Sequence, residues 1–293
     1  MGRFSALLVG LTLLAGCVTL PEPDFSPAGP HLSILTYNVN VACSSPGNVV
    51  AHLLEADADI VCLQETHAEW EAVLRQHLAE NYPHSHFLDV PGAGGLALMS
   101  KLELRDVARV EPSAGWFAAL KAKAMSPFGP VQVLNVHLRP AVSDRGYLSA
   151  SAAYSNRRVH RRELEHLMGV VRAEAPLVVA GDFNEGERGK GVRYLVEMGF
   201  ADALSIYDRR SPTWRWRVAW GIALKRRYDH IISSRHLRCT GARVSAVNAS
   251  DHMPVFAVFV PAEAPCGSAE PPLPEGRGSE ATPAPATGRQ PGS

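Results

Sequence analysis

Six apolar segments of this 293-residue chain carry polar side chains at their ends that could do chemistry. The segments span 33–40, 59–66, 131–139, 176–185, 227–234 and 249–260. Their candidate residues are Asn38, Glu65, His137, Asp182, Asn184, Asp229, Asp251 and His252. Buried carboxylates are costly unless they are paired or bind a cation. Oxygen donors without a Cys/His ligand spacing favour a hard cation such as Mg²⁺ over zinc.

Each cluster taken alone has a simpler explanation, because Asp and Asn also cap helices and form turns after strands. Two pairs of residues favour a functional site over simple turns. Asn135 and His137 are two residues apart, as are Asp182 and Asn184, so each pair lies on one face of its strand. Six such clusters in one chain favour a shared site over six unrelated turns.

The elements that must position these residues are strands and helices in alternation. Strand-like runs occur at 32–39, 59–63, 95–99, 131–138, 177–181, 228–233 and 254–260. Helical stripes of apolar residues lie within 49–54, 70–78 and 160–171. This mixture predicts an α/β sandwich, while the strand order is not readable from one sequence.

Short motifs, in their order along 31–262, resemble the endonuclease/exonuclease/phosphatase superfamily. That group includes deoxyribonuclease I, exonuclease III-like repair enzymes, neutral sphingomyelinases and inositol polyphosphate 5-phosphatases. The motifs are GDFN (181–184) and SDHMPV (250–255), which are the most specific, with LTYNV (35–39), LQE (63–65) and GGLALMSKLEL (94–104). The implied fold is a four-layer α/β sandwich with two packed, mainly antiparallel β-sheets flanked by helices.

The resemblance also implies a metal site. Glu65 would be the main Mg²⁺ ligand, Asn38 would assist at the same ion, and Asp251 would be a second carboxylate on the metal side. Mn²⁺ or Ca²⁺ could take the place of Mg²⁺.

The catalytic roles follow from the same resemblance. Asp182 would orient or deprotonate the attacking water, and Asn184 would hold that water or a phosphate oxygen. His252 would act as general acid/base or donate a hydrogen bond to the phosphoryl oxygen, with Asp229 fixing its tautomer. His137 would contact the phosphate or protonate the leaving group. His230, next to Asp229, is expected on the opposite strand face in a structural role.

A basic segment, residues 209–227, contains interleaved tryptophans and no acidic residue. Basic side chains neutralise phosphates and indoles stack on bases, so Trp214, Arg226 and Arg227 are predicted to bind substrate. The same composition suits an anionic membrane surface. A third interpretation is a solvated hairpin with one or two core tryptophans.

The chain ends differ from its centre. Residues 1–17 resemble a lipoprotein signal peptide ending in Leu14-Ala15-Gly16-Cys17, so Cys17 is expected to be lipidated and the protein to be exported to the outer membrane or cell surface. Residues 18–30 are expected to be a Pro-rich tether and 263–293 a disordered Pro/Gly-rich tail.

The zero net charge of the chain is a sum over these unlike pieces. The parts outside 31–262 hold three arginines and six acidic residues, which leaves the predicted domain at +3. Export permits disulfides, so pairing among Cys43, Cys239 and Cys266 stays open, while Cys62 is expected to be a buried thiol.

These observations predict an exported, lipid-anchored, Mg²⁺-dependent phosphodiesterase, expected to be monomeric and to act on nucleic acid. The alternatives are a phospholipid phosphodiesterase similar to sphingomyelinases and a phosphatase of small phosphate esters. An inactive binding module is disfavoured because every expected catalytic position is filled. The segment NVHLRP (135–140) departs from the motif of abasic-site endonucleases, which argues against that activity.

Overall fold

The computed structural model describes residues 19–141, 150–217 and 223–262, with side chains in the helix at 150–168 described from residue 156. These residues form two six-stranded sheets. The first contains β1 (Leu32–Asn38), β2 (Ile60–Gln64), β3 (His84–Leu88), β4 (Leu96–Ser100), β13 (Leu237–Val244) and β14 (Val255–Pro261) in the order β13-β14-β1-β2-β4-β3. The second contains β5 (Leu104–Val110), β6 (Ala119–Ser126), β7 (Gly129–His137), β8 (Leu177–Asp182), β9 (Ala201–Asp202) and β12 (Asp229–Ser233) in the order β5-β6-β7-β8-β12-β9. A separate hairpin pairs β10 (Trp214–Arg217) with β11 (Ala223–Arg226).

Helices cover the outer face of each sheet. The helices are α1 (Pro46–Ala56), α2 (Ala68–Leu78), α3 (Ala150–Met168), α4 (Lys190–Glu197) and α5 (Ala203–Tyr207). Helices α1 and α2 share one apolar core with the first sheet, and α3 and α4 share another with the second. A third core lies between the sheets, where Leu98 and Ile231 are fully buried. The predicted four-layer sandwich is therefore confirmed, and its sheets are antiparallel except for the pairs β1/β2 and β7/β8.

Strand direction and register bring the predicted polar residues to one edge of the sandwich. In the first sheet, Asn38 at the end of β1 lies opposite Gln64 at the end of parallel β2. In the second, His137 of β7 lies opposite Asp182 of parallel β8, and Asp229 at the start of antiparallel β12 also lies opposite Asp182. Parallel strands end at the same edge, and an antiparallel neighbour begins there.

A buried amide pair ties the two sheets together beneath that edge. Gln64 Nε2 donates to Asn135 Oδ1 at 2.7 Å, and Asn135 Nδ2 donates to the carbonyl oxygens of Leu63 and Ala97 at 3.0 and 2.9 Å. A satisfied polar network in a low-dielectric core defines one arrangement of its partners. Asn135 is thus a structural residue, although it shares its strand with His137.

The segment predicted as a tether contacts the first sheet before β1 begins. Asp24 exchanges hydrogen bonds with Thr240, and Phe25 packs against Phe256 with its ring centroid 6.1 Å away. The predictions for residues 1–17, Cys17, 263–293 and Cys266 lie outside the described residues. Within the part of the chain that the structure describes, no helix combines the length and apolarity needed to cross a membrane.

The described cysteines form no disulfide with one another. Cys62 is fully buried on β2, as predicted, and burial raises the pKa of its thiol above the usual range. Cys43 and Cys239 are also free thiols.

Candidate active site

Asp182 lies at the centre of the candidate active site, almost fully buried at the carboxyl end of β8. Its Oδ2 is 3.6 Å from Nε2 of both His137 and His252 and accepts a hydrogen bond from Asn38 Nδ2 at 3.1 Å. The preceding Gly181 has φ 149°, and a Cβ there would come within 1.9 Å of a carbonyl oxygen on β7. Only glycine allows this close approach of the two strands.

His252 and Asp229 form a buried hydrogen-bonded pair beside Asp182. His252 Nδ1 lies 2.9 and 3.1 Å from the two carboxylate oxygens of Asp229, so Nδ1 carries the proton and Nε2 faces Asp182. Burial alone would lower the pKa of His252, but the charges of Asp229 and Asp182 raise this pKa to about 10. Burial raises the pKa of Asp229, which His252 opposes. The raised pKa keeps the His252 ring doubly protonated at neutral pH, so that Nδ1 donates to Asp229 while Nε2 also carries a hydrogen that it can donate.

Glu65 and Asn38 form the oxygen-rich side of the centre. Asn38 Nδ2 donates to Glu65 Oε1 at 2.9 Å, and the Val41 amide donates to Glu65 Oε2 at 2.9 Å. Glu65 has a left-handed backbone with φ 60°, as do Asn40 with φ 63° and Asn184 with φ 50°. Non-glycine residues rarely adopt this conformation, and such strain is concentrated at functional sites.

A second glycine secures the turn after β2. Gly95 accepts a hydrogen bond at its carbonyl from the Thr66 amide, and a Cβ on Gly95 would lie 1.7 Å from the Thr66 carbonyl oxygen. This close contact fixes the turn that carries Glu65. The glycine at position 95 of the Gly-rich motif (94–104) is therefore required sterically, because a side chain there would collide with Thr66.

Two sets of side chains could hold a cation. Asp182, Asp229 and His252 offer ligand atoms within 4.8 Å of one another. However, a cation among these three would have to replace the bond between His252 and Asp229. Glu65 and Asn38 supply hard oxygen atoms of the kind that Mg²⁺ prefers, and Glu65 is partly exposed to solvent. The chemistry of these donors fits a divalent cation on the Glu65 side.

Asp251 is held on the same side by two side-chain donors. Asn40 Nδ2 donates to Asp251 Oδ1 at 2.7 Å, and the indole of Trp214 donates to Oδ2 at 2.9 Å. A carboxylate oxygen retains a lone pair after accepting one hydrogen bond, so Asp251 can still act as a ligand. Asn40 joins Asp251 to Asn38, because its own amide donates to Asn38 Oδ1 at 3.0 Å.

His137 and Asn184 complete the centre on its other side. His137 Nδ1 contacts the Ala93 carbonyl at 3.0 Å, which makes Nδ1 the donor and turns Nε2 toward Asp182. The ring of Phe117 stacks on His137 at 4.5 Å. Asn184 donates one amide hydrogen to the Leu138 carbonyl at 3.0 Å, and its second amide hydrogen can serve a phosphate or water oxygen.

The three predicted substrate-binding residues of the basic segment occupy different environments. Trp214 is only 9% exposed and positions Asp251. Arg227 is held by the Asp208 carbonyl and by Glu187, 3.5 Å away. Arg226 is exposed on β11, where it can meet a phosphate. The structure therefore contains the hairpin with a core tryptophan that was one of the three sequence interpretations.

The exposed counterpart of Trp214 is Trp216, two residues along β10. Its ring stacks on that of Trp214 at 6.2 Å and is 46% exposed. With Arg215 and Arg217 it lines a cavity of about 490 Å³ that also reaches Ser250 and Asp251. A cationic, aromatic wall thus adjoins the carboxylate side of the centre.

Three supporting residues were not predicted from the sequence. Ser250 Oγ donates to the Asn38 carbonyl and accepts from the His252 amide. Thr213 Oγ1 accepts from the Asp229 amide at 3.0 Å, and Asn40 links Asn38 to Asp251. The sequence contains a signal for two of them, because Ser250 and Asn40 belong to the triplets SDH (250–252) and NVN (38–40), which contain stronger candidates. His230 takes the predicted structural role, contacting Asp202 at 3.2 Å and the Glu185 carbonyl at 3.0 Å.

The two-sheet sandwich with this centre at one edge agrees with a family of phosphoesterases that the sequence also matches. The sequence pattern of the Endonuclease/Exonuclease/phosphatase family matches residues 35–252, and the chain belongs to that family. No curated protein is similar enough in sequence to count as a match.

Solved structures share the fold at low sequence identity. An endonuclease/exonuclease/phosphatase from Beutenbergia cavernae is 20% identical over 80% of this chain and 72% of that chain, with a TM-score of 0.65. An AP endonuclease from Archaeoglobus fulgidus is 22% identical over 78% and 99%, with a TM-score of 0.61. A D. rerio TDP2 complexed with a single-strand DNA product is 15% identical over 78% and 99%, with a TM-score of 0.63.

Proposed function

We propose that this protein is an exported, lipid-anchored, Mg²⁺-dependent phosphodiesterase that cleaves nucleic acid. The observation that carries the proposal is the position of Asp182 between two imidazoles, with the oxygen donors Glu65 and Asn38 on one side. A phosphoester can there meet a base, a proton donor and a cation at once.

Glu65 and Asn38 would hold the cation, with Asp251 as a further carboxylate. A bound Mg²⁺ neutralises charge on the phosphate and on the leaving oxygen. Asp182 is the proposed acceptor of the proton of the attacking water, and its Oδ2 lies 3.6 Å from Nε2 of each imidazole. His252, in its doubly protonated form, donates from Nε2 to a phosphoryl oxygen, and Asp229 orients the ring through Nδ1.

Nucleic acid is favoured as substrate by the hairpin beside Asp251. The hairpin presents Arg215, Arg217, Lys225 and Arg226 without an acidic residue, and Trp216 offers an exposed ring. Such a surface binds consecutive phosphates and stacks bases. Two of the similar structures are an AP endonuclease and a TDP2 complexed with a single-strand DNA product, which supports the same substrate class.

Export and anchoring rest on residues 1–17 and Cys17. A charged start, a short apolar run and small residues directly before a cysteine are typical of lipoprotein signals. A chain that keeps an unmodified Cys17 and stays in the cytoplasm would contradict this part of the proposal.

The test is a substrate panel on the full chain, solubilised in detergent. Plasmid DNA, RNA, sphingomyelin vesicles, bis(p-nitrophenyl) phosphate and p-nitrophenyl phosphate are incubated with Mg²⁺ or with EDTA. We expect cleavage of nucleic acid and of the small diester, both abolished by EDTA. Activity that survives EDTA would contradict the metal, and activity restricted to sphingomyelin or to the monoester would contradict the substrate.

A phospholipid headgroup is the second candidate, for one specific reason. The hairpin register pairs Trp216 with Leu224, both more than a third exposed, while Arg215 and Lys225 pair on the opposite face. Arg226 shares the face of Trp216 and Leu224, and an exposed apolar patch bordered by cations also suits a membrane interface. The sphingomyelin arm of the panel decides between the two.

A further inference from the structure

A second exposed tryptophan lies in another segment and is linked to the centre through Phe117. Trp116 belongs to the loop between β5 and β6, and its ring is 39% exposed. Among the described residues, Trp116 and Trp216 are the tryptophans with more than a third of their surface in solvent. Tryptophan is enriched at interfaces, because its ring covers a large apolar area while its indole N–H stays available as a donor.

A short series of contacts connects Trp116 to the catalytic residues. Its ring meets Phe117 edge-on at 6.4 Å, and Phe117 stacks on His137 at 4.5 Å. His137 Nε2 in turn faces Asp182 at 3.6 Å. Two residues beyond His137, the guanidinium of Arg139 lies 4.4 Å over the Trp116 ring.

The other exposed tryptophan is connected to the same carboxylate by a separate series of contacts. Trp216 stacks on Trp214, which pairs with His252 through a backbone bridge, and His252 Nε2 is 3.6 Å from Asp182. Each exposed indole thus leads to Asp182 through a different histidine. Each also has an arginine beside it, since Arg139 lies over Trp116 and Arg215 lines the same cavity as Trp216.

We infer that Trp116, with Arg139 over its ring, forms a stacking subsite for an unpaired base, so that the enzyme acts on single-stranded nucleic acid. The inference rests on the proposed function and specifies its substrate. A ring with a guanidinium over it offers stacking together with positive charge, which is the combination a nucleotide uses. Bases within a duplex are already stacked and cannot use such a ring.

A membrane role fits this loop less well. The exposed residues that precede Trp116 in the loop are Glu111, Pro112 and Ser113, which include an acid and no large apolar side chain. A loop that inserts into lipid buries a continuous apolar surface and avoids acidic groups.

The experiment compares three substrates on the full chain: a fluorescent single-stranded oligonucleotide, the duplex of the same sequence, and bis(p-nitrophenyl) phosphate. The variants are Trp116→Ala, Trp116→Phe and the control Leu54→Ala, which truncates an exposed apolar residue on α1. We expect Trp116→Ala to raise KM for the single strand about tenfold, with kcat nearly kept, as befits one lost stacking contact. Trp116→Phe should restore most of the affinity, and Leu54→Ala should match the wild type.

The outcomes separate this inference from the function on which it rests. Wild-type cleavage of oligonucleotides with unchanged KM in Trp116→Ala would overturn the inference alone. An equal loss on all three substrates would also overturn it, because it would mean that Trp116 only supports His137 through Phe117. A wild type that hydrolyses the small diester or sphingomyelin but no oligonucleotide would overturn both the inference and the proposed substrate.

Discussion

At the scale of single residues, the site is a set of charges held in place by neighbours that do not touch substrate. Asp182 and His252 are buried, and each has its orientation set by hydrogen bonds to residues from other strands. A group so held loses little entropy when it meets a transition state. A substitution at this scale therefore either removes a reacting group or frees such a group from the neighbours that orient it.

Replacing Asp182 with Asn removes the proposed proton acceptor while keeping its shape. We expect kcat on the small diester to fall about 10²- to 10⁴-fold, the usual contribution of general base catalysis. The control is Asp106→Asn, which breaks an exposed ion pair with Lys123. If Asp182→Asn kept more than a tenth of wild-type kcat, the assignment of the base would be wrong.

Replacing Trp214 with Phe releases Asp251 by removing the indole donor. We expect the Mg²⁺ concentration for half-maximal activity to rise about tenfold, because partners that orient metal ligands typically contribute 10- to 100-fold in affinity. The matched control is Trp216→Phe on the same strand, which keeps every hydrogen bond of Asp251. Equal Mg²⁺ requirements in the two variants would exclude Asp251 as a ligand.

At the scale of elements, turns and helix contacts set where the strand ends point. The turn after β2 depends on the approach of Gly95 to Thr66, and the loop after β8 depends on a buried contact between Glu185 and His160 of α3. Both features act on residues next to the site without joining it. Changes there should affect stability as well as activity.

Gly95→Ala places a Cβ against the Thr66 carbonyl oxygen. The turn must shift, so we expect a loss of about 1–3 kcal/mol in the free energy of unfolding, typical of overpacking, and reduced activity through Glu65. Gly47→Ala is the control, since a Cβ at Gly47 meets nothing within 4 Å. Thermal denaturation of both variants measures the difference, and a Gly95→Ala protein as stable as Gly47→Ala would refute the steric argument.

His160 makes stability depend on pH. Burial alone would lower the pKa of His160, but the hydrogen bond and charge of Glu185, helped by Glu163 and the Arg139 carbonyl, raise this pKa above its usual value. A histidine whose pKa is higher in the folded than in the unfolded protein stabilises the fold. This stabilisation is fully present below the unfolded-state pKa of about 6.5 and is lost as the pH rises through the folded-state pKa.

His160→Gln removes that titration. We expect the variant to lose about 2 kcal/mol near pH 6, as for a hydrogen bond to a charged group, and to approach the wild type at alkaline pH. Urea denaturation at several pH values from 6 to 9 measures the gap. A gap that stays constant or widens as pH rises would show that His160 is not charged in the folded protein.

At the scale of the whole molecule, charge is distributed unevenly. The chain is neutral, yet the hairpin near the centre carries cations of which several are free of acidic partners among the described residues, such as Lys225 and Arg226. Local potential, more than net charge, governs how a polyanion is drawn to a site. Arg226 and Arg227 are adjacent in sequence but differ in this respect, which provides a direct comparison.

Arg226→Gln should weaken nucleic-acid binding and make its salt dependence shallower by about one unit, the effect of one lost phosphate contact. Arg227→Gln should leave the salt dependence nearly unchanged and instead lower stability, because Arg227 is held by Asp208 and Glu187. Binding is measured at several salt concentrations by fluorescence anisotropy. Identical slopes for both variants and the wild type would argue against a nucleic-acid surface on the hairpin.

Local sequence patterns determined much of this protein. The seven strand-like runs all correspond to strands, and the three helical stripes to α1, α2 and α3, because burial on one face leaves a period that a sequence displays. The short elements β9 and α5 carry no such period and were not predicted, and β6 and β13 were also missed although half or more of their residues are buried. The family and most of the central residues followed from motifs, since each motif is a strand end joined to its functional side chain.

Tertiary structure alone decided which residues meet and which only support. Trp214 and Trp216 look alike in the sequence, yet Trp214 positions Asp251 while Trp216 faces solvent. The difference arises because the segment around Asp251 packs against Trp214, and that contact joins residues far apart along the chain. The pairing of Asp229 with His252 and the place of Trp116 beside His137 join segments far apart in sequence. Contacts of this kind depend on strand order and register, which a single sequence does not display.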